Sequence, residues 1–109
     1  MTHEELAGEA RKIPVNTFRI LLAEHSAEKI SDLTQQQIQK VFELVKCYQL
    51  TLVDLQGVCF MYMEKHGIDK AEKLLIKLTG KKTVPETPRE KYYKVFNEFK
   101  NGVNKNVQK

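Results

Sequence analysis

Four side chains that could bind a soft metal lie close together in the stretch GVCFMYMEKHG, residues 57–67: Cys59, Met61, Met63 and His66. Thiolate, thioether and imidazole groups are suitable ligands for Cu(I). If the stretch is helical, however, Met61 points about 160° around the axis from Met63, so the two sulfurs cannot share one ion. Methionine and cysteine also commonly fill gaps in protein cores. We therefore interpret the stretch as part of a core helix and predict no metal site.

Motifs typical of enzymes are missing from the sequence. It contains no Gly-rich phosphate loop, no HExxH, no CxxC and no Gly-x-Ser-x-Gly. His25 and Ser26 are adjacent, and neighbouring residues on a helix point about 100° apart, so the pair does not form a catalytic dyad. We therefore expect a small non-enzymatic regulatory or adaptor protein with no catalytic residues, no cofactor and no small-molecule substrate.

The basic side chains of the C-terminal part are the candidate binding residues. Residues 1–66 carry a net charge of −2 and residues 67–109 a net charge of +6, within a whole-chain charge of +4. Such an asymmetry indicates a polyanionic or acidic partner. The residues that we predict to form this surface are Lys70, Lys73, Lys77, Lys81, Lys82, Arg89, Tyr93 and Lys100.

Two partner classes fit these residues. Lys70, Lys73 and Lys77 share one face of a predicted helix, and a cationic face can bind the phosphates of nucleic acid, while an exposed tyrosine such as Tyr93 can stack on a base. The alternative partner is an acidic protein surface, in which case the chain is an interaction module such as an inhibitor or an immunity factor. Because Glu72 and other acidic residues are interleaved, an ordinary solvated helix exterior is a third interpretation.

The helices predicted over 35–48 and 52–66 flank a tight turn and resemble a helix-turn-helix over a short stretch. In that motif the second helix enters the major groove, where basic and amide side chains read the bases. Here the second helix opens with Val53 and Asp54 and carries no basic residue before Lys65. An ordinary helical hairpin is therefore the preferred interpretation of this segment.

Capping signals mark the helix starts. A threonine followed three residues later by an acid or amide is typical of a helix N-terminus, because each side chain bonds the other residue's backbone N–H. Such pairs are Thr2/Glu5, Thr34/Gln37, Thr51/Asp54 and Thr87/Glu90. Apolar residues follow at helical spacing. The predicted helices run from Thr2 to Ile13, from after Asn16 to about Glu28, over 35–48, over 52–66, from Asp69 to Gly80, and from Pro88 to Gly102.

These elements predict an all-α fold, a compact bundle of five or six short helices with a central apolar helix near residues 52–66. We expect one helical domain over residues 1–101 and a flexible basic tail over residues 102–109. The 52–66 helix is apolar nearly all round, and such a helix is either buried or exposed on one side to a partner. Phe60 and Met61 point away from its main apolar stripe. They are therefore the candidate partner interface, which a second copy of the chain would occupy in a homodimer.

The sequence also bears on location. The opening stretch MTHEELAGEARKIPV has no apolar run, unlike a signal peptide. No stretch approaches the roughly 18 consecutive apolar residues of a membrane-spanning helix. We therefore expect a cytoplasmic protein without membrane contact. In that setting Cys47 and Cys59 are expected to be buried, reduced thiols.

Overall fold

The computed structural model describes residues 1–104, and these residues form α-helices and short 3₁₀ turns without a β-strand. The α-helices are α1 (His3–Ala10), α2 (Val15–Ala23), α3 (Gln35–Gln49), α4 (Leu52–His66), α5 (Ile68–Thr79) and α6 (Tyr92–Asn104). The 3₁₀ turns lie at Ile30–Asp32, Val84–Glu86 and Arg89–Lys91. The predicted all-α fold of five or six helices is confirmed.

The chain divides into two compact units, Met1–Gln49 and the residues from Leu50 on, which we call the N-terminal and the C-terminal unit. The single domain expected over residues 1–101 stays a prediction. Residues 102–104, which were predicted to belong to a flexible tail over residues 102–109, form the end of α6. Residues 105–109 lie outside the described part of the chain.

In the N-terminal unit, α3 packs against both α1 and α2. Capping boxes start two of these helices, as predicted. The Glu5 N–H donates to the Thr2 hydroxyl over 3.1 Å, and the Gln37 N–H donates to the Thr34 hydroxyl over 3.2 Å. The helices bury one apolar cluster, formed by Leu6, Ile13, Leu21, Leu22, Ala27, Leu33, Ile38, Val41 and Val45. Helix capping and this shared apolar core together stabilise the N-terminal unit.

A polar contact joins α1 to the C-terminal end of α3. Glu9 Oε1 accepts from the Gln49 amide over 3.0 Å and from the Lys46 ammonium over 3.2 Å. The other carboxylate oxygen, Oε2, lies 3.3 Å from the Lys12 ammonium. These donors, the Gln49 amide foremost, lower the pKa of Glu9 to about 2 from its ordinary value of 4.5. The ionised carboxylate is therefore the form that holds the two helices together.

The limits predicted for α2 are wrong at both ends. The helix begins at Val15, directly after Pro14, and ends at Ala23 rather than near Glu28. A proline suits a helix start, because the N–H that it lacks would have no partner there. The end follows from Ser26, which adopts a left-handed conformation with φ of 56°. The next N–H, from Ala27, then donates back to the Leu22 carbonyl, which closes the helix.

In the C-terminal unit, α4 packs against α6, α5 and the turn Val84–Glu86. It starts with the predicted capping box, in which the Asp54 N–H donates to the Thr51 hydroxyl over 3.2 Å and the Thr51 N–H donates to the Asp54 carboxylate over 2.8 Å. Gly67 ends it with φ of 93°. The buried apolar residues of this unit are Leu55, Val58, Cys59, Ala71, Leu75, Leu78, Tyr92, Val95 and Phe99. The central helix predicted over residues 52–66 is confirmed within its unit.

Two helix starts differ from the prediction. The sequence predicts that α5 starts at Asp69, but its N-terminal cap is Gly67 and Asp69 lies inside the first turn. The box predicted at Thr87 does not form. Instead Pro88 precedes a 3₁₀ turn, and the Thr87 hydroxyl is buried without a hydrogen-bond partner among the described residues. The extended backbone of Thr87 turns its side chain into the unit, so that α6 starts only at Tyr92.

Gly102 lies inside α6 rather than at its end, and its role is close packing. A β-carbon at this position would overlap the Tyr62 ring, whose Cδ2 would be only 2.8 Å away. Tyr62 also meets Phe99 edge to face, with ring centroids 5.0 Å apart. The glycine therefore allows α6 to continue to Asn104 directly against α4.

Candidate functional site

One face of α4 is exposed and mainly apolar, with the exposed Glu64 towards its C-terminal end. This outer face consists of Val53, Gly57, Phe60 and Met61, and the exposed fractions of its three side chains are 73%, 58% and 52% in that order. The buried residues of the same helix lie on the opposite side. Both Phe60 and Met61, predicted to point away from the buried stripe, are therefore uncovered within residues 1–104.

Gly57 is at the centre of this outer face. A glycine inside a helix costs roughly 0.5–1 kcal/mol relative to alanine, because its backbone loses more freedom on folding. A β-carbon on Gly57 would meet nothing within 4 Å, so no close packing within the described residues requires the glycine. Val53 and Met61 lie four residues before and after it, one helical turn away on each side. The face thus has a shallow centre between two apolar side chains.

The outer face continues onto α6. A groove of about 330 Å³ runs between the two helices, and Val53, Gly57 and Met61 line it together with Phe96 and Val103 of α6. Lys100 also lines this groove, with its ammonium 5.5 Å from the centroid of the Phe96 ring. The structure therefore places Lys100 beside an apolar surface.

Three of the predicted basic residues form a row along α5. Lys70, Lys73 and Lys77 are all exposed, on the side away from the buried Ala71 and Leu75. From the first to the third, the helix rises by about 10 Å. None of the three ammonium groups has a hydrogen bond or ion pair with the described residues. We call these three residues the lysine row.

The next two lysines extend the row only in part. Lys81 is exposed directly after the end of α5. Lys82 instead lines a second groove, of about 260 Å³, which Ile68 and Glu72 line on the side of α5 turned away from the lysine row. The chain reverses at Gly80, whose left-handed φ of 74° redirects the backbone.

Arg89 and Tyr93 are half-buried, and Arg89 contributes to the fold. The Arg89 guanidinium donates to the Leu50 carbonyl over 2.8 Å and stacks on Tyr92, with its central carbon 4.6 Å from the ring centroid. The structure thus groups Lys70, Lys73 and Lys77 on one side of α5, with Lys81 just beyond the helix end, while Arg89 is engaged within the fold. That the eight predicted residues bind a partner stays a prediction.

The sulfur-rich stretch is helical, as predicted. Cys59 is buried, which raises the pKa of its thiol, while Met61 lies on the outer face. His66 Nε2 donates to the Gly102 carbonyl over 2.8 Å, and its ring lies against Tyr62. Within residues 1–104 no three His, Cys, Asp or Glu side chains are grouped so that they could hold a metal ion.

The partner interface predicted from the sequence, Phe60 and Met61, omits Val53 and Gly57, which lie on the same outer face. The sequence carries a signal for them, because a glycine in the middle of a predicted helix lowers the stability of that helix and so suggests a packing or functional reason. Val53 is one turn before Gly57 and Met61 one turn after it, so the spacing alone puts the three on one face.

No described helix has both the length and the apolar character needed to cross a membrane. Comparison with known proteins gives no significant match to a family, to a characterised protein or to a solved structure.

Proposed function

We propose that this chain is a small non-enzymatic regulatory or adaptor protein, and that it acts through protein–protein contact, pairing with a second copy of itself through the outer face of α4. The observation that carries the proposal is the exposure of Val53, Phe60 and Met61, each more than half accessible on one helix face. A contiguous exposed apolar patch is typical of an interaction surface. The neighbouring Phe96 and Val103 of α6 enlarge that patch.

The arrangement around Gly57 favours a second copy as the partner. A two-fold dimer uses the same patch on both chains, so the patch must be complementary to itself. If two α4 helices cross antiparallel at Gly57, Val53 of each chain meets Met61 of the other, because both lie four residues from the crossing point. The absence of a side chain at Gly57 lets the two backbones approach, and the distance between packed helices depends on the side chains at the contact.

Sedimentation of the full chain across a wide concentration range tests this proposal. We expect a reversible dimer, and we expect Met61→Glu to convert it to a monomer, because a charge buried in an apolar interface without a partner is strongly unfavourable. Ile20→Glu is the matched control, since Ile20 is 61% exposed but lies on α2. A monomer at every concentration, or equal dissociation by both variants, contradicts the proposal.

A second candidate function, nucleic-acid binding, is favoured by the lysine row. Its three ammonium groups lack partners among the described residues, and residues 67–109 carry a net charge of +6. Three cations along about 10 Å of helix approach the spacing of phosphates along a nucleic-acid strand. Lys81 adds a fourth exposed cation at the end of the row. Binding of this kind is electrostatic and reads no base sequence.

A salt titration tests the nucleic-acid candidate. If three phosphates are neutralised, the logarithm of the binding constant should fall against the logarithm of salt concentration with a slope of about −3 on duplex and about −2 on single strands. The double variant Lys73→Gln/Lys77→Gln should reduce the slope by roughly two thirds. Lys40→Gln/Lys94→Gln removes the same charge from α3 and α6 and should leave the slope unchanged. No binding to either form at low salt, or equal effects of both variants, removes this candidate.

A further inference from the structure

The N-terminal unit contains an open surface cavity of about 500 Å³ that the proposed function does not use. It lies between α1 and α2, beside the residues that lead into the turn Ile30–Asp32. Its walls are apolar, with Ala7 and Ala10 from α1 and Phe18 and Leu22 from α2. The volume is within the roughly 300–1,000 Å³ of small-molecule sites, which are also mostly apolar with a few polar groups.

Cations predominate among the charged residues that line this cavity. Arg11, Arg19 and Lys29 are exposed and line it, and Glu28 is the one acidic residue that does so among the described residues. Neither arginine side chain has a hydrogen bond or ion pair with residues 1–104. Both guanidinium groups are therefore available to an anion, and a guanidinium binds a carboxylate with two parallel hydrogen bonds.

We infer that this cavity binds an amphipathic carboxylate of the fatty-acid class. The apolar walls require an apolar body, which a small hydrophilic anion such as phosphate lacks. The surplus of cations selects an anionic head group over a neutral or cationic one. In the inferred complex the alkyl chain lies against Ala10, Phe18 and Leu22, and the carboxylate bonds to Arg11 and Arg19. This inference is independent of the proposed function, since these residues belong to the other unit.

Calorimetric titration with dodecanoate, kept below the concentration at which it forms micelles, tests the inference on the full chain. We expect one molecule bound per chain, with NMR shift changes centred on the residues that line the cavity. Dodecanol and dodecyltrimethylammonium have the same alkyl chain with neutral and cationic head groups, and we expect each to bind at least about tenfold more weakly, because hydrogen bonds to charged groups are the stronger ones.

Two variants separate the roles of the head group and the alkyl chain. Arg11→Gln/Arg19→Gln should weaken dodecanoate binding by about tenfold or more, whereas Lys40→Gln/Lys94→Gln, which removes the same charge elsewhere, should leave it unchanged. Ala10→Phe should fill the cavity and abolish binding, and its melting temperature will show whether it folds. Because the arginine variant leaves the apolar core untouched, it tests carboxylate binding even if Ala10→Phe does not fold.

Three outcomes would overturn the inference. The first is equal affinity for the three alkyl probes, which would mean that the cationic residues select nothing. The second is equal weakening by the arginine variant and its charge-matched control. The third is the absence of dodecanoate binding, including the case in which an acidic peptide with an apolar side chain binds the cavity instead.

Discussion

At the scale of single residues, Glu9 shows how a side chain that looks ordinary in the sequence becomes a link between helices. Acidic residues in a first helix are usually explained by the helix dipole. Here the carboxylate instead meets Lys46 and Gln49, which are 37 and 40 residues away along the chain. Only the packing of α3 on α1 brings these groups together, so their pairing depends on the fold.

The lowered pKa of Glu9 predicts a pH dependence of stability. Because the folded pKa, about 2, is below the ordinary value of 4.5, this group contributes its full stabilisation above pH 4.5 and loses it as the pH falls towards 2. Glu9→Gln should cost about 1 kcal/mol at neutral pH, since the contact is partly exposed to solvent. It should also flatten the fall of melting temperature between pH 4.5 and 2. Glu24→Gln, on exposed Glu24, should leave that slope unchanged, and an unaltered slope in Glu9→Gln would contradict the assignment.

Gly102 supports a second prediction at this scale. Gly102→Ala should destabilise the protein by roughly 1–3 kcal/mol, because the added methyl group forces the Tyr62 ring to move in a packed region. Gly8→Ala is the control, since a β-carbon on Gly8 in α1 meets nothing within 4 Å, and it should stabilise by roughly 0.5–1 kcal/mol. Urea unfolding of both variants measures the difference. A stabilising Gly102→Ala would mean that Tyr62 does not pack there.

At the scale of elements, α4 has two apolar sides with different surroundings. One side supplies Leu55, Val58 and Cys59 to the core, and the other leaves Val53, Phe60 and Met61 exposed. A helix that is apolar nearly all round is either buried or exposed on one side to a partner. Within residues 1–104 the outer face is uncovered, which is why the helix itself, and not a loop, is the proposed interface.

Gly57→Ala separates the contribution of α4 to the stability of the fold from its proposed contribution to the dimer. The substitution should raise the stability of the dilute, monomeric protein by roughly 0.5–1 kcal/mol, because alanine favours the helix. The same methyl group should weaken the dimer, since it separates the two backbones at their crossing point. Gly8→Ala, with a similar helical gain in α1, should leave dimerisation unchanged. Unfolding at low protein concentration measures the stability of the monomer, and sedimentation at high concentration measures the affinity of the dimer. A tighter dimer in Gly57→Ala would contradict the proposed crossing.

At the scale of the whole molecule, the two proposed surfaces of the C-terminal unit should act together. A dimer carries two copies of the lysine row, and linked sites bind a long polyanion more tightly than one site does, provided that both can reach it. Met61→Glu should therefore weaken binding to a long duplex without touching a lysine. On an oligonucleotide too short to contact both rows, the variant should bind like the unmodified chain. Equal affinities on the long duplex would show that dimerisation and nucleic-acid binding are unrelated.

The helix starts show how much can be predicted from sequence. The capping boxes at Thr2, Thr34 and Thr51 were all predicted correctly, because both partners of a box are three residues apart and need no other part of the chain. The fourth, at Thr87, failed because its side chain is buried instead, which a three-residue pattern cannot anticipate. The same limit explains why the end of α2 was predicted wrongly. The helix ends at the left-handed backbone of Ser26, and no glycine marks that position in the sequence.

The sequence by itself thus determined the fold class and most helix boundaries, since these depend on contacts within one or two helical turns. It also determined that the C-terminal half carries the surplus of positive charge. The tertiary structure alone decided which of those charges lie together. It directs Arg89 to the Leu50 carbonyl, 39 residues away along the chain, and leaves Lys70, Lys73 and Lys77 in solvent. It also decided that Phe60 and Met61 stay uncovered and that an open cavity lies between α1 and α2, because both depend on how distant segments pack.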